Sequence, residues 1–227
     1  MIAVVVPVLG RPRNAAPLAE SLAHATTLPH RLVFVCSPGD DEQIAACSDT
    51  YADIAITGRA ETHGDFAHKV NFAYRATDEP WIFQAADDVR FEPGWDTALM
   101  NCAEATGALV IGTDDGGNPT VIAGKHSTHT LIARSYIEDP GASMDGPGTA
   151  FSTAYGHQYV DTELVQLAMS RGVWAFCKQS RVTHLHPFWV GRNGMDDTYR
   201  RGLKTSSVDH RIFLRRQRMW APGRSRV

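Results

Sequence analysis

Hydrophobic positions in this chain fall into short, dense runs separated by polar stretches of helical period. Ile2-Ala3-Val4-Val5-Val6-Pro7-Val8 does not alternate, which predicts a central strand buried on both faces. Leu9 to Arg13 follows as a loop. Asn14 is placed to cap a helix through His24, with Pro17 in the first turn, where a missing N–H costs little. Arg31 to Cys36 predicts a second strand, Glu42 to Thr50 a short helix and Asp53 to Thr57 a third strand. Phe66, Val70 and Ala73 share one face of a predicted helix from Gly64 to Ala76. A strand opening at Trp81, a helix from Trp95 to Ala105 and a strand from Leu109 to Gly112 complete the run. Strand and helix in alternation predict an α/β domain with a mostly parallel central sheet flanked by helices.

Beyond the Asp114-Asp115-Gly116-Gly117 turn the pattern loosens. Thr128 to Ile132 predicts a half-buried strand, and Asp145 to Thr149 a flexible loop placed as a lid over the cleft. A helix runs from Asp161 to Arg171, with Val173–Phe176 and Arg181–Leu185 as two short strands after it. Ser206 to Trp220 predicts a helix with Ile212, Phe213 and Met219 on one side. No internal repeat or strong boundary divides the chain, so one domain over 1–227 is expected.

Composition narrows the class. At 227 residues, 43% hydrophobic and 21% charged, the chain has enough material for one substantial core and is not disordered by default. The apolar opening is broken by Pro7, too short to span a membrane and without a signal peptide's basic start. Cys36, Cys47, Cys102 and Cys177 are scattered, which argues against a zinc ribbon or a disulfide framework. A cytoplasmic protein with no membrane partner is the expectation. The net charge of -3 conceals an asymmetry, because the tail from Arg192 holds ten Lys and Arg against three Asp. Such a split marks either an anionic partner or two faces that attract each other within the fold.

Candidate chemistry lies where strands end. Ligands of parallel sheets bind beyond the carboxyl ends of the strands, here Gly10-Arg11, Ser37 to Asp41, Gly58-Arg59 and Asp87-Asp88. The apolar run from Trp81 stops at two adjacent carboxylates, which are costly to bury ionised. A divalent cation or a basic group in a cleft compensates such a pair. The alternative is a solvated turn ahead of Glu92-Pro93-Gly94.

Several segments together resemble the GT-A-type glycosyltransferases, most closely the large inverting family-2-like group. They are Val6-Pro7-Val8-Leu9-Gly10-Arg11-Pro12, Lys69-Val70-Asn71-Phe72-Ala73, Ala86-Asp87-Asp88 with Glu92-Pro93-Gly94-Trp95, Asp161-Thr162-Glu163-Leu164 and His184-Leu185-His186-Pro187. They occur in the family's order from about residue 2 to about residue 190. Two positions depart from the family. Ala86 stands at the first acid of the Asp-x-Asp motif, and Val160 precedes Asp161 where an acid is usual.

The resemblance implies a single GT-A-like (Rossmann-like) domain, in which 1–112 binds the nucleotide sugar, 113–190 carries the acceptor side and 191–227 forms a basic helical tail. It implies transfer of a sugar from a UDP- or GDP-linked donor to an acceptor hydroxyl, inverting and assisted by Mn2+ or Mg2+. Asp88 with His184 or His186 would hold the metal; residues two apart in a strand share a face. Pro7, Arg11, Asp40, Lys69, Asn71 and Asp87 would contact the donor. Asp161 would be the general base with Glu163 in reserve, an N-cap being the competing role for Asp161. Tyr155 and Trp189 would line the acceptor site, although such aromatics are more often core. The acceptor would be a glycan, a protein, a small molecule or, given Arg215-Arg216-x-Arg218 with Arg224 and Arg226, a hydroxymethylated base in DNA, as for virus-encoded DNA glycosyltransferases. Rival classes are a nucleotidyltransferase, disfavoured by too few glycines after the first strand, and a non-catalytic nucleotide-sugar binder.

Overall fold

A computed structural model describes residues 1–191 and 195–220; Arg192, Arg224 and Arg226 of the tail lie outside the described residues. The first half alternates as its hydrophobic pattern dictates. β1 (Ile2–Pro7), α1 (Ala15–Ala25), β2 (His30–Cys36), α2 (Asp41–Ser48), β3 (Asp53–Ile56), α3 (Asp65–Ala76) and β4 (Trp81–Gln84) come in order. β5 (Val89–Phe91), α4 (Trp95–Thr106) and β6 (Val110–Asp114) follow. The second half holds α5 (Pro119–Ile122), β7 (Thr130–Ala133), α6 (Arg134–Glu138), α7 (Val160–Ser170), β8 (Trp174–His184), α8 (Pro187–Val190), α9 (Asp197–Lys204) and α10 (Ser206–Trp220).

All eight strands join one sheet in the order β3-β2-β1-β4-β7-β6-β8-β5. β3, β2, β1 and β4 run parallel, β7 is antiparallel to both its neighbours, and β5 is antiparallel to β8. β1 is wholly apolar and nearly inaccessible because helices cover both faces. One face packs Val4, Val6, Phe34 and Phe83 on Leu18, Leu22, Trp95 and Leu99. The other packs Val5, Val33 and Ile82 on Val70, Tyr136, Leu164 and Phe213.

Three expectations change. The expected Thr128–Ile132 strand is β7, Thr130–Ala133, and it is buried throughout because it sits between β4 and β6 rather than at an edge. The two short strands are one strand, β8. It runs parallel to β6 as far as the Thr113↔Cys177 pair, bulges over Lys178 to Ser180, resumes with β6 at Asp114↔Arg181, and pairs antiparallel with β5 over Val182 to His184. Met219 is exposed, while Ile212 and Phe213 turn toward the core.

Candidate active site

The candidate residues gather at the carboxyl end of β1, which lies between β2 and β4, the switch point of the parallel strands. Pro7 ends β1, and the loop beyond it is shaped by side chains from the next βα unit. Gly10 N–H donates to Asp40 Oδ2 at 2.8 Å, and Arg11 N–H donates to Gln43 Oε1 at 2.7 Å. Arg11 is thereby turned inward, only 6% exposed. Its guanidinium donates to Asp87 Oδ1 at 3.0 Å, lies 3.7 Å from Asp88 Oδ2, and grips both oxygens of Asp196 at 2.9 Å. The Tyr199 ring stacks on it at 4.0 Å. Burial opposes the positive charge, but Asp196, Asp87 and Asp88 outweigh it, so Arg11 stays charged.

Asp87 and Asp88 occupy a tight turn between β4 and β5, both buried. Antiparallel pairing of β5 with β8 puts Val89 opposite His184, and Leu185 N–H donates to the Asp88 carbonyl at 2.8 Å. His184 N–H also donates to the carbonyl of Asp115 at 2.9 Å. Backbone pairing therefore sets His184 Nε2 3.4 Å from Asp88 Oδ1, across almost a hundred residues of chain. Burial pushes the Asp88 carboxyl up, but His184 and Tyr199, which donates its hydroxyl to Oδ2, hold it well below the usual carboxylate range. Asp87 is shifted the other way by burial and by its neighbour's charge.

Four buried polar atoms lack a protein partner here: Asp88 Oδ1, His184 Nδ1 and both nitrogens of His129. The His129 ring meets that of His184 edge-on, 4.7 Å between centroids. Unpaired polar atoms in such a place point to a group from solution. Asp88 and His184 fit two positions of a hard cation, which ordinarily takes its remaining oxygens from phosphates and water. Among the described residues no cluster of three or more His, Cys, Asp or Glu could hold a metal alone. His186 lies next to this pair, its ring 5.2 Å from that of His184 and 4.7 Å from that of Tyr199. β8 ends at His184, so the two-residue rule lapses, and His186 Nδ1 accepts from Phe188 N–H as the cap of α8. Burial and His184 push its imidazole down to about 4.

Asp161 lies in the first turn of α7, but the capping position belongs to Tyr159, with φ 69°. Its Oδ1 accepts from Thr162 N–H at 2.7 Å, and its Oδ2 lies 3.3 Å from His126 Nε2. His126, beside Asp161, and His129, whose ring meets that of His184, both lie just ahead of β7.

Other expected residues turn out to hold the scaffold together. Glu163 is buried with every oxygen engaged: Arg216 donates to both, Tyr155 to Oε2 at 2.6 Å and Met144 N–H to Oε1 at 3.0 Å. It has no free lone pair in the cleft, and the reserve-base role is withdrawn. Tyr155 is fully buried, so its face cannot meet an acceptor. Lys69 is likewise inaccessible, donating to the Val8 carbonyl and to Asp65, both at 2.7 Å. Asn71 joins α3 to the Ala150-Phe151 backbone through three hydrogen bonds. The Asp145–Thr149 loop is tied to Ile137 and Arg216, on the α6 and α10 side, rather than free over Asp88. Arg216, spent on Glu163 and Asp145, leaves Arg215 and Arg218 as the exposed part of its basic run. Trp189 stays 39% exposed, resting where a Cβ on Gly117 would approach within 2.7 Å.

No protein-family model matches the chain, and no curated protein matches it in sequence. Solved structures do resemble it in shape. S. aureus TarS 1–349 superposes with TM-score 0.59 at 11% identity over 82% of this chain and 60% of that one. Glucosyl-3-phosphoglycerate synthase from Mycobacterium tuberculosis gives TM-score 0.60 at 13% identity over 92% and 78%. A protein described only as mycobacterial gives 0.64 at 12% over 95% and 74%. The fold is GT-A-like. At these identities the likeness establishes the fold alone, and the chain spans 37% of the longer TarS structure. No helix among the described residues is long and apolar enough to cross a membrane.

Two GT-A neighbours of the site had no warning in the sequence pattern, Asp196 and Tyr199. Asp196 carries an N-cap signal for α9, realised as acceptance from Tyr199 N–H at 3.1 Å, but nothing in that signal aims it at Arg11. His126 and His129 were equally unmarked, since a lone His beside a strand is an ordinary core or surface residue.

Proposed function

We propose that the chain is a glycosyltransferase that moves a sugar from a UDP- or GDP-linked donor to an acceptor hydroxyl, with inversion and with the help of Mn2+ or Mg2+. The observation that carries this reading is the convergence of Asp88, with its unpaired Oδ1, on His184 and Arg11 at the switch point of a GT-A-like sheet. The superposable TarS fragment is described in complex with UDP-GlcNAc, and the synthase with Mn2+, UDP and phosphoglyceric acid. Those ligands are theirs; the shared fold makes the same class of donor the reading for this site.

Asp88 and His184 are the residues that would hold the cation, whose contribution is Lewis-acid stabilisation of the leaving diphosphate. Arg11 offers a planar fork suited to phosphate oxygens. Asp87 and Asp88 keep that fork aimed, while Asp40 and Gln43 fix the loop that presents it. The Asp161–His126 pair would take up the acceptor's proton as the new bond forms, the arrangement that goes with inversion. Trp189, half-exposed beside His186, offers an apolar face for a sugar ring.

Incubation of the purified chain with UDP- and GDP-sugars and Mn2+ should release nucleoside diphosphate slowly even without an acceptor. Asp88→Ala should lower that rate by roughly a hundredfold or more, since electrostatic stabilisation of the leaving group is a several-kcal/mol effect. Turnover in the variant equal to that of the parent protein removes Asp88 from the site and the metal with it.

A further inference from the structure

The carboxylate expected to act as base is not free. Asp161 Oδ1 is held by Thr162, whose backbone N–H lies at 2.7 Å and hydroxyl at 3.3 Å, and Oδ2 faces His126 Nε2 at 3.3 Å. We propose that His126 is the proton acceptor of the reaction and that Asp161 is its positioning partner. With Nε2 facing the carboxylate at 3.3 Å, a proton on that nitrogen is the favoured tautomer, which leaves Nδ1 with the lone pair for a substrate. His126 precedes β7 and Asp161 opens α7, so two separate elements hold the pair. Both side chains keep some access to solvent, 16% for His126 and 29% for Asp161.

The two groups are shifted in opposite directions. Burial pushes Asp161 up, but His126 and Thr162 more than offset it and hold the carboxyl low, making it a poor proton acceptor. Burial pushes His126 down, but Asp161, and more weakly Asp115, raise it above an ordinary imidazole. His129, pushed down to about 3 by burial and by His184, adds no positive charge near neutral pH. A general base works best with an affinity for protons near the operating pH, and the opposite shifts move His126 toward that condition and Asp161 away from it. In the step itself, the acceptor oxygen bonds to the anomeric carbon as its proton passes to His126 Nδ1. The carbon–oxygen bond to the diphosphate breaks, and its electron pair leaves with the phosphate. Asp161 stabilises the imidazolium until the proton goes to solvent.

This inference rests on the nucleotide-sugar reading, and its test has two arms on the full chain. In the first, 15N NMR of the imidazoles is expected to show neutral His126 protonated on Nε2, with a titration midpoint that falls in Asp161→Asn. A proton on Nδ1 instead overturns the proposal without touching the donor reading. In the second, hydrolysis of UDP-glucose, UDP-GlcNAc or GDP-mannose with Mn2+ is followed against pH, with water as the acceptor. His126→Gln should lose roughly a hundredfold or more in kcat while UDP affinity stays within about twofold. Asp161→Asn should move the low-pH limb of kcat downward, which a purely structural contact would not do. Unchanged kcat in His126→Gln overturns the proposal. No turnover of any donor by the parent protein, with the expected tautomer present, sinks the nucleotide-sugar reading and the acceptor role together.

Discussion

At the scale of single residues, the site divides into groups that react with solvent or ligand and groups that are consumed by the scaffold. Glu163 belongs to the second kind despite sitting two residues from Asp161. Glu163→Gln leaves Arg216 facing one carboxylate instead of two and should cost about 3 kcal/mol. A fall in thermal midpoint with kcat retained in the surviving protein is the expected pattern; a lost kcat at unchanged stability restores Glu163 to the chemistry. His129 offers a second residue-scale prediction. Its folded pKa is about 3, pushed down by burial and by His184, while the unfolded value is near 6.5. The unfolded chain therefore binds this proton first on acidification. Stability from His129 is present above about 6.5 and is lost as pH falls toward about 3, at about 1.4 kcal/mol per pH unit. His129→Asn should flatten urea-unfolding stability across that window, and an identical slope in the variant counts against it.

At the scale of elements, α9 is the part that most changes the picture of the crevice. Asp196 and Tyr199 cover the Arg11 fork and the Asp88 carboxylate, the groups assigned to the diphosphate, and Thr198 Oγ1 donates to the Leu9 carbonyl beside them. Asp196 satisfies the guanidinium as a phosphate would, so a donor must displace it. Asp196→Ala with Tyr199→Phe should tighten UDP binding about tenfold, the equivalent of one charge-assisted hydrogen bond. Calorimetry showing weaker binding would make α9 part of the donor site instead of its competitor. Anchoring of the next helix is independent of this contact. Asp209 of α10 accepts from Gly156, His157 and Gln158 N–H at 2.7 to 3.0 Å, tying that helix to the loop before α7.

At the scale of the whole molecule, the parallel half was legible because its signal is local. A run such as Ile2–Val8 is buried on both faces in any α/β sheet, and Phe66, Val70 and Ala73 select their helix face by spacing alone. The basic partner of Asp87 and Asp88 follows the same logic, since paired acids ending an apolar strand demand compensation, here from Arg11. The sequence by itself thus determined the layered α/β architecture and the strand end at which the paired carboxylates lie. Only the tertiary structure decided what faces those carboxylates. The antiparallel return of β8 along β5 brings His184 to Asp88. Burial turns Tyr155, Lys69 and Glu163 into scaffold, and α9 brings Asp196 and Tyr199 onto Arg11. The physical reason is range: strand and helix propensities act over a few residues. Partners such as Arg11 and Asp196, 185 positions apart, meet only when distant backbone segments pair and pack.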